Sequence, residues 1–235
     1  MRSSTRLGYN RPLSISLGRR TPPNMAALFI LHRRIGVAIF AIATIGLNSI
    51  SFSYADPPNG IQWTCVQTDA HLIVSHGDVE VLRYNIVAPE APDEARAKYE
   101  RSGYIHPIYT PEGQRVTGDF AADHPHQHGL FAAWTSTSYQ GKPVDFWNQD
   151  KGLGVVLHDR VISLEQREKA AGFSVAVRHF ALRKDGTRFG ILDDVWKVKA
   201  QSLNSQNKND GFRIDFSIAQ TNITEHPLTV NEYHY

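Results

Sequence analysis

The chain has 235 residues, enough for one large domain with its own apolar core. Its 25 Lys and Arg against 23 Asp and Glu give a net charge of +2, yet seven of the arginines fall in residues 1–55, which hold no acidic side chain. Without them, residues 56–235 carry 18 basic and 23 acidic side chains, a net charge of −5, which argues against a nucleic-acid-binding body.

Residues 1–55 read as an extension followed by a signal peptide. In "HRRIGVAIFAIATIGLNSISFSYA" an arginine pair precedes an apolar run from Ile35 to Leu47, and Ser53 and Ala55 supply the small residues of a cleavage site. That run is short of the roughly 20 residues that cross a bilayer, so cleavage after Ala55 is expected rather than a permanent anchor. The expected partner of the membrane is therefore the signal segment alone. The general secretory route fits better than twin-arginine export, and Met25 is a plausible start of an ordinary signal peptide. The body, residues 56–235, is then expected in the periplasm or outside the cell.

From Asp56 onward the pattern is β-rich. "IQWTCVQT" and "VEVLRYNIVA" read as strands with a turn at "HGD", and Cys65, the only cysteine, reads as a buried strand residue. The polar stretch 88–103 has room for one helical turn or a loop. "YIHPIYTPEGQRVT" offers a short strand, a Pro-Glu-Gly turn and a second strand. Four longer strands follow: "GVVLHDRVISLEQRE", "FSVAVRHFALR", "RFGILDDVWKVKAQS" and "GFRIDFSIAQTNI". They are separated by "KAAG", the hairpin signal "KDGT" and "NSQNKNDG". In the last, Phe212, Ile214, Phe216 and Ile218 alternate with Arg213, Asp215 and Ser217, predicting one buried and one wet face. "LEQREKAAG" is the best helical stretch. The expected fold is all-β, a large antiparallel sandwich. "PLTVNEYHY" ends the chain inside a β-rich segment, and a truncated carboxy terminus is expected.

The densest chemistry lies in "DFAADHPHQHGLFAAW", residues 119–134. His124, His126 and His128 alternate, so on an extended strand all three imidazoles would share one face. Three readings stay open. The histidines could hold a divalent metal, with Asp119 and Asp123 as supporting groups. They could act as acid/base groups on a polar ligand, with His124, His126 and Asp123 catalytic. They could also be a structural network. Gly129 would let the backbone approach a neighbour closely, and His106 is expected to lie near the cluster as a ligand-binding residue. Glu232 and His234 would join it if the last strand returns there. Trp134, with Tyr139, Phe146 and Trp147, suits the C–H faces of a sugar. Asp193 and Asp194 are adjacent and should point to opposite faces, a poor acid/base couple. There is no Gly-rich phosphate loop, no Gly-x-Ser-x-Gly elbow and no cysteine nucleophile setting.

The block "SGYIHPIYTPEGQRVTGDFAADHPHQHGLFAAW" resembles a bacterial secreted family of unknown function commonly labelled "methane oxygenase PmoA". The likeness is carried by Pro107–Gly113, Asp119–Phe120 and Asp123–Gly129. Gln127 stands where that family often has a second consecutive histidine. The resemblance runs from about Trp63 to the end, and implies a galactose-mutarotase-like β-sandwich with histidines and a carboxylate on a sugar-sized concave face. Taken together, these readings predict an exported protein that binds or modifies a carbohydrate or similar small molecule. A metal-dependent oxygenase or hydrolase, and a non-catalytic envelope module, are the alternatives.

Overall fold

The structure is a computed structural model that describes residues 62–203 and 211–232. The expected leader and its cleavage site at Ala55 lie outside the described residues, as does His234.

A first antiparallel sheet is formed by β1 (Trp63–Gln67), β2 (His71–His76), β3 (Val79–Asn85) and β4 (Tyr104–Ile108), in that order. The second holds β7 (Gly154–Arg167), β8 (Ala170–Leu182), β9 (Arg188–Ser202) and β10 (Phe212–Asn222), each hydrogen-bonded to the next in antiparallel register. A third, small sheet runs β11 (Leu228–Val230), β5 (Thr137–Tyr139), β6 (Lys142–Val144). β1 packs on β7 and β8, and β2 on β8, so the first two sheets face each other. The all-β sandwich is thus as expected.

The interface between those sheets explains why the strands alternate. Leu72, Val74, Leu82 and Tyr84 from one side meet Phe173, Val175, Trp196 and Val198 from the other, all buried. Each such side chain contributes about 1.5–3 kcal/mol by leaving water. Tyr84 sits among aromatic rings, 5.3 Å from Phe173 and 6.2 Å from Trp196, and its hydroxyl meets His158 Nδ1 at 2.9 Å. That contact satisfies the one polar atom an apolar core would otherwise strand. Cys65 is buried in β1 as predicted, and burial pushes its thiol up to about 11, leaving it protonated and inert. In β10 the predicted apolar face packs against the core, half-buried.

Three expectations need correction. β2, "HLIVSH", went unread between the two predicted strands, and "HGD" turns from β2 into β3. "LEQREKAAG" is not helical: its first residues finish β7, Glu168 and Lys169 make the turn, and Ala170 opens β8. Local helix propensity yields there to continuous pairing of Leu164 with Phe173 and Arg167 with Ala170. The second strand after the Pro-Glu-Gly turn shrinks to a single bridge between Tyr109 and Arg115. Within 88–103 the helical turn is a 3-10 helix, Glu94–Tyr99, capped by Asp93, whose side chain accepts from the Arg96 N–H at 3.0 Å.

Candidate functional site

The histidine segment is not a strand. Pro125 and His126 occupy a reverse turn closed by the Gln127 N–H donating to the His124 carbonyl at 2.9 Å. Proline at the second position of such a turn is favoured because its φ is preset. Isolated bridges, Asp119 with His128 and Ile105 with Leu130, tie the segment's ends down. The turn cancels the period-2 logic. His124 is exposed and His126 partly so, with ring centroids 5.9 Å apart, while His128 is fully buried. The expectation that His124, His126 and His128 project together from an extended strand is therefore corrected. Among the described residues no three His, Cys, Asp or Glu side chains are grouped as metal ligands. Gly129 does permit the predicted close approach. Its φ is +34°, and a Cβ there would lie 2.2 Å from the Ile105 carbonyl oxygen.

The turn separates an inner layer from an outer cleft. In the inner layer Asp119 accepts at Oδ1 from His128 Nδ1 at 2.6 Å and at Oδ2 from the Tyr104 hydroxyl at 2.7 Å. The carboxylate can only accept, so the Nδ1 of His128 carries a proton; Nε2 is buried and has no hydrogen-bond partner among the described residues, and in the neutral ring it is an acceptor. Phe131 forms a shared wall. Its ring lies 6.3 Å from the His128 ring, 4.6 Å from the Arg101 guanidinium carbon and 4.4 Å from Trp147. Arg101 is fully buried, and burial lowers its pKa to about 10, so it remains charged at neutral pH. His106 borders this layer. Its Nδ1 meets Thr117 Oγ1 at 2.9 Å, and burial lowers its pKa from the ordinary histidine value.

The outer cleft has a volume of about 790 Å³, and both Asp123 and His126 line it. Burial first, and the neighbouring His124 next, lower the His126 pKa, so its ring is neutral at pH 7. Asp123 is held ionised by a backbone N–H and by His124, whose Nδ1 lies 3.1 Å away. The opposite wall is built by a tight polar turn. Asp145 Oδ1 accepts from the Trp147 and Asn148 N–H groups at 3.0 Å each, and Asn148 Nδ2 donates to Thr135 Oγ1 at 2.9 Å. Tyr99 and Lys98 both donate to Asp150 Oδ1, at 3.1 and 2.6 Å. Sequence reasoning missed Tyr99, Asp145, Asn148 and Asp150. The hydroxyl run "TSTS" at 135–138 and "DFWNQD" at 145–150 were the available signals, being polar groups between short strands.

The remaining predicted residues divide. Trp134 lies in a neighbouring hollow of about 420 Å³ with Trp147 and Gln220, and its Nε1 donates to Gln220 Oε1 at 2.7 Å. Gln220 in turn donates to buried Asp194, which also meets His179 Nε2 at 2.9 Å. Asp193 instead pairs with Arg178, so the two aspartates do point apart. Of the flanking aromatics, Phe146 is core and Tyr139 packs on Phe189. Glu232 is exposed, but the adjacent Asn231 lines the outer cleft and its N–H donates to the Ser136 carbonyl at 2.8 Å. The chain's last described strand therefore does come back to this region.

These features define an antiparallel β-sandwich protein with a polar cleft beside a histidine-bearing turn. No curated protein and no solved structure matches the chain. A family model does: residues 71–235 match the family of unknown function DUF6807, and the chain belongs to that family.

Proposed function

We propose that this protein, like the PmoA-labelled secreted proteins its 104–134 block resembles, is exported and binds a polyhydroxylated small molecule of carbohydrate type in the cleft around His126. The observation that carries the reading is the cleft's chemistry. Hydroxyls, two amides, carboxylates, one ammonium and one neutral imidazole line a hollow roomy enough for a mono- or disaccharide. A neutral His126 accepts a hydrogen bond from a ligand hydroxyl, which serves binding, and the same nitrogen would take the proton in general-base chemistry if the ligand turns over. Asp123, paired with His124, keeps negative charge at the rim and favours hydroxyl donors over anions there. The rival metal-dependent oxygenase or hydrolase needs three or so His or carboxylate ligands converging on one ion, and among the described residues no such group is found.

The test is calorimetric titration of the intact protein with a panel of neutral mono- and disaccharides. At least one should bind saturably. His126→Ala should weaken it about tenfold, the value of one good hydrogen bond, with the unfolding midpoint unchanged because the ring is partly exposed. Binding that ignores the substitution removes His126 from the site, and no binding by any sugar ends the carbohydrate reading.

A further inference from the structure

The inner layer leaves polar atoms of three side chains without a hydrogen-bond partner among the described residues, and their chemistry is specific. None of the Arg101 nitrogens Nε, Nη1 and Nη2 has a hydrogen-bond acceptor among the described residues, although the side chain is 0% exposed. A buried guanidinium is costly unless an anion accepts its N–H groups in a planar fork. Its guanidinium lies over the face of Phe131, 4.6 Å from the ring centroid. The other two orphan atoms are acceptors: His128 Nε2, its proton held on Nδ1 by Asp119, and Gln149 Oε1. Gln149 Nε2 donates at 3.4 Å to the carbonyl of Glu100, the residue before Arg101. His128 borders the same Phe131 ring as Arg101.

One cation wanting an anion and two acceptors wanting donors describe a complement. We propose that Arg101, His128 and Gln149 form a binding site for a hydroxycarboxylate, the carboxylate on the Arg101 fork and hydroxyls donating to His128 Nε2 and Gln149 Oε1. An acidic sugar carries both groups. This deepens the carbohydrate reading and rests on it for the sugar frame, while the orphan set stands on its own. Tyr99, Asn148 and Asp150, which line the outer cleft, neighbour Arg101 and Gln149 in the chain, so the site lies behind that wall. Because Arg101 has no exposed atom, occupation requires a local opening of the wall.

The experiment is thermal unfolding of the intact protein with sodium D-glucuronate, with D-glucose as neutral counterpart and sodium acetate as a carboxylate without hydroxyls. Glucuronate should raise the midpoint saturably by several degrees, as a ligand of the folded state must, with acetate weaker. Arg101→Met should abolish the glucuronate shift. Its ligand-free midpoint should equal or exceed that of the unsubstituted protein, because a stranded charge has been replaced by a side chain of similar volume. Arg101→Lys keeps the charge but loses the fork, and should bind at least tenfold more weakly. Gln149→Leu should reduce the advantage of glucuronate over acetate. The same shift in Arg101→Met, no shift at all, or acetate matching glucuronate each overturns the proposal. The two readings fail separately. His126-dependent glucose binding with no glucuronate advantage defeats only this inference. A glucuronate shift that survives His126→Ala, with no neutral sugar bound, defeats only the outer-cleft reading.

Discussion

Asp119 serves two masters at once: one oxygen takes the His128 proton and the other takes the Tyr104 hydroxyl. Both partners are buried, so neither has water to turn to. The carboxylate also raises the Tyr104 pKa further, after burial itself, keeping that hydroxyl a donor. Removing the carboxylate with Asp119→Ala strands two buried polar groups and should cost about 2–5 kcal/mol, read as a lowered urea midpoint with unchanged slope. A loss under about 1 kcal/mol would mean that water replaces the carboxylate, and that the His128 tautomer is not fixed by it. Periodicity could not have found this pair, because Asp119 and His128 stand nine residues apart and meet only through a bridge made by the turn between them. Arg101 was equally hidden. In "ERSGYIHP" nothing distinguishes a buried arginine from a solvated one until the Phe131 ring is seen above it.

At the scale of elements, the strands that pair with long neighbours were readable and the segment that pairs with almost nothing was not. Arg188–Ser202 falls on its predicted bounds because apolar residues alternate through it and "KDGT" fixes its start, with Gly186 at a φ of +80°. The histidine turn also alternates, but alternation implies a shared face only where a ladder holds the backbone extended, and Pro125 ends that condition. Glycine gave a further signal that was passed over. In "KAAG", read as a separator, Gly172 lies inside β8, where a Cβ would come 2.0 Å from the Val198 carbonyl oxygen of β9. The two backbones are closer there than any side chain allows. Gly172→Ala must therefore push β8 off β9 near the start of β8, between the two inner strands of the long sheet. The expected loss is about 2–4 kcal/mol, together with faster amide exchange at Lys199 and its neighbours in β9. Exchange that stays at its original rate would show that the strand absorbs the methyl group by a local shift.

For the whole molecule the histidines set the response to acid. His71, His106, His126 and His158 all have pKa values lowered first by burial, and they are spread over β2, β4, the turn and β7. Each binds its proton less readily in the folded protein than in the unfolded chain. As pH falls through the ordinary histidine value near 6.5, the unfolded state therefore takes up protons first, and stability must fall with it. The loss continues until the lowered folded values are reached. The effect is structural as well as electrostatic at His158, because a protonated Nδ1 can no longer accept from Tyr84 at the meeting of the two sheets. Urea midpoints measured at pH 7.5, 6.5 and 5.5 should therefore decline in that order, before the carboxylates begin to titrate. The same protonation charges His126, so neutral-sugar affinity should drop over a lower pH range, set by its depressed folded value rather than by 6.5. If stability is flat across this interval, the four imidazoles reach water more freely than their packing implies; if affinity and stability fall at one common pH, unfolding rather than His126 is what the binding curve reports.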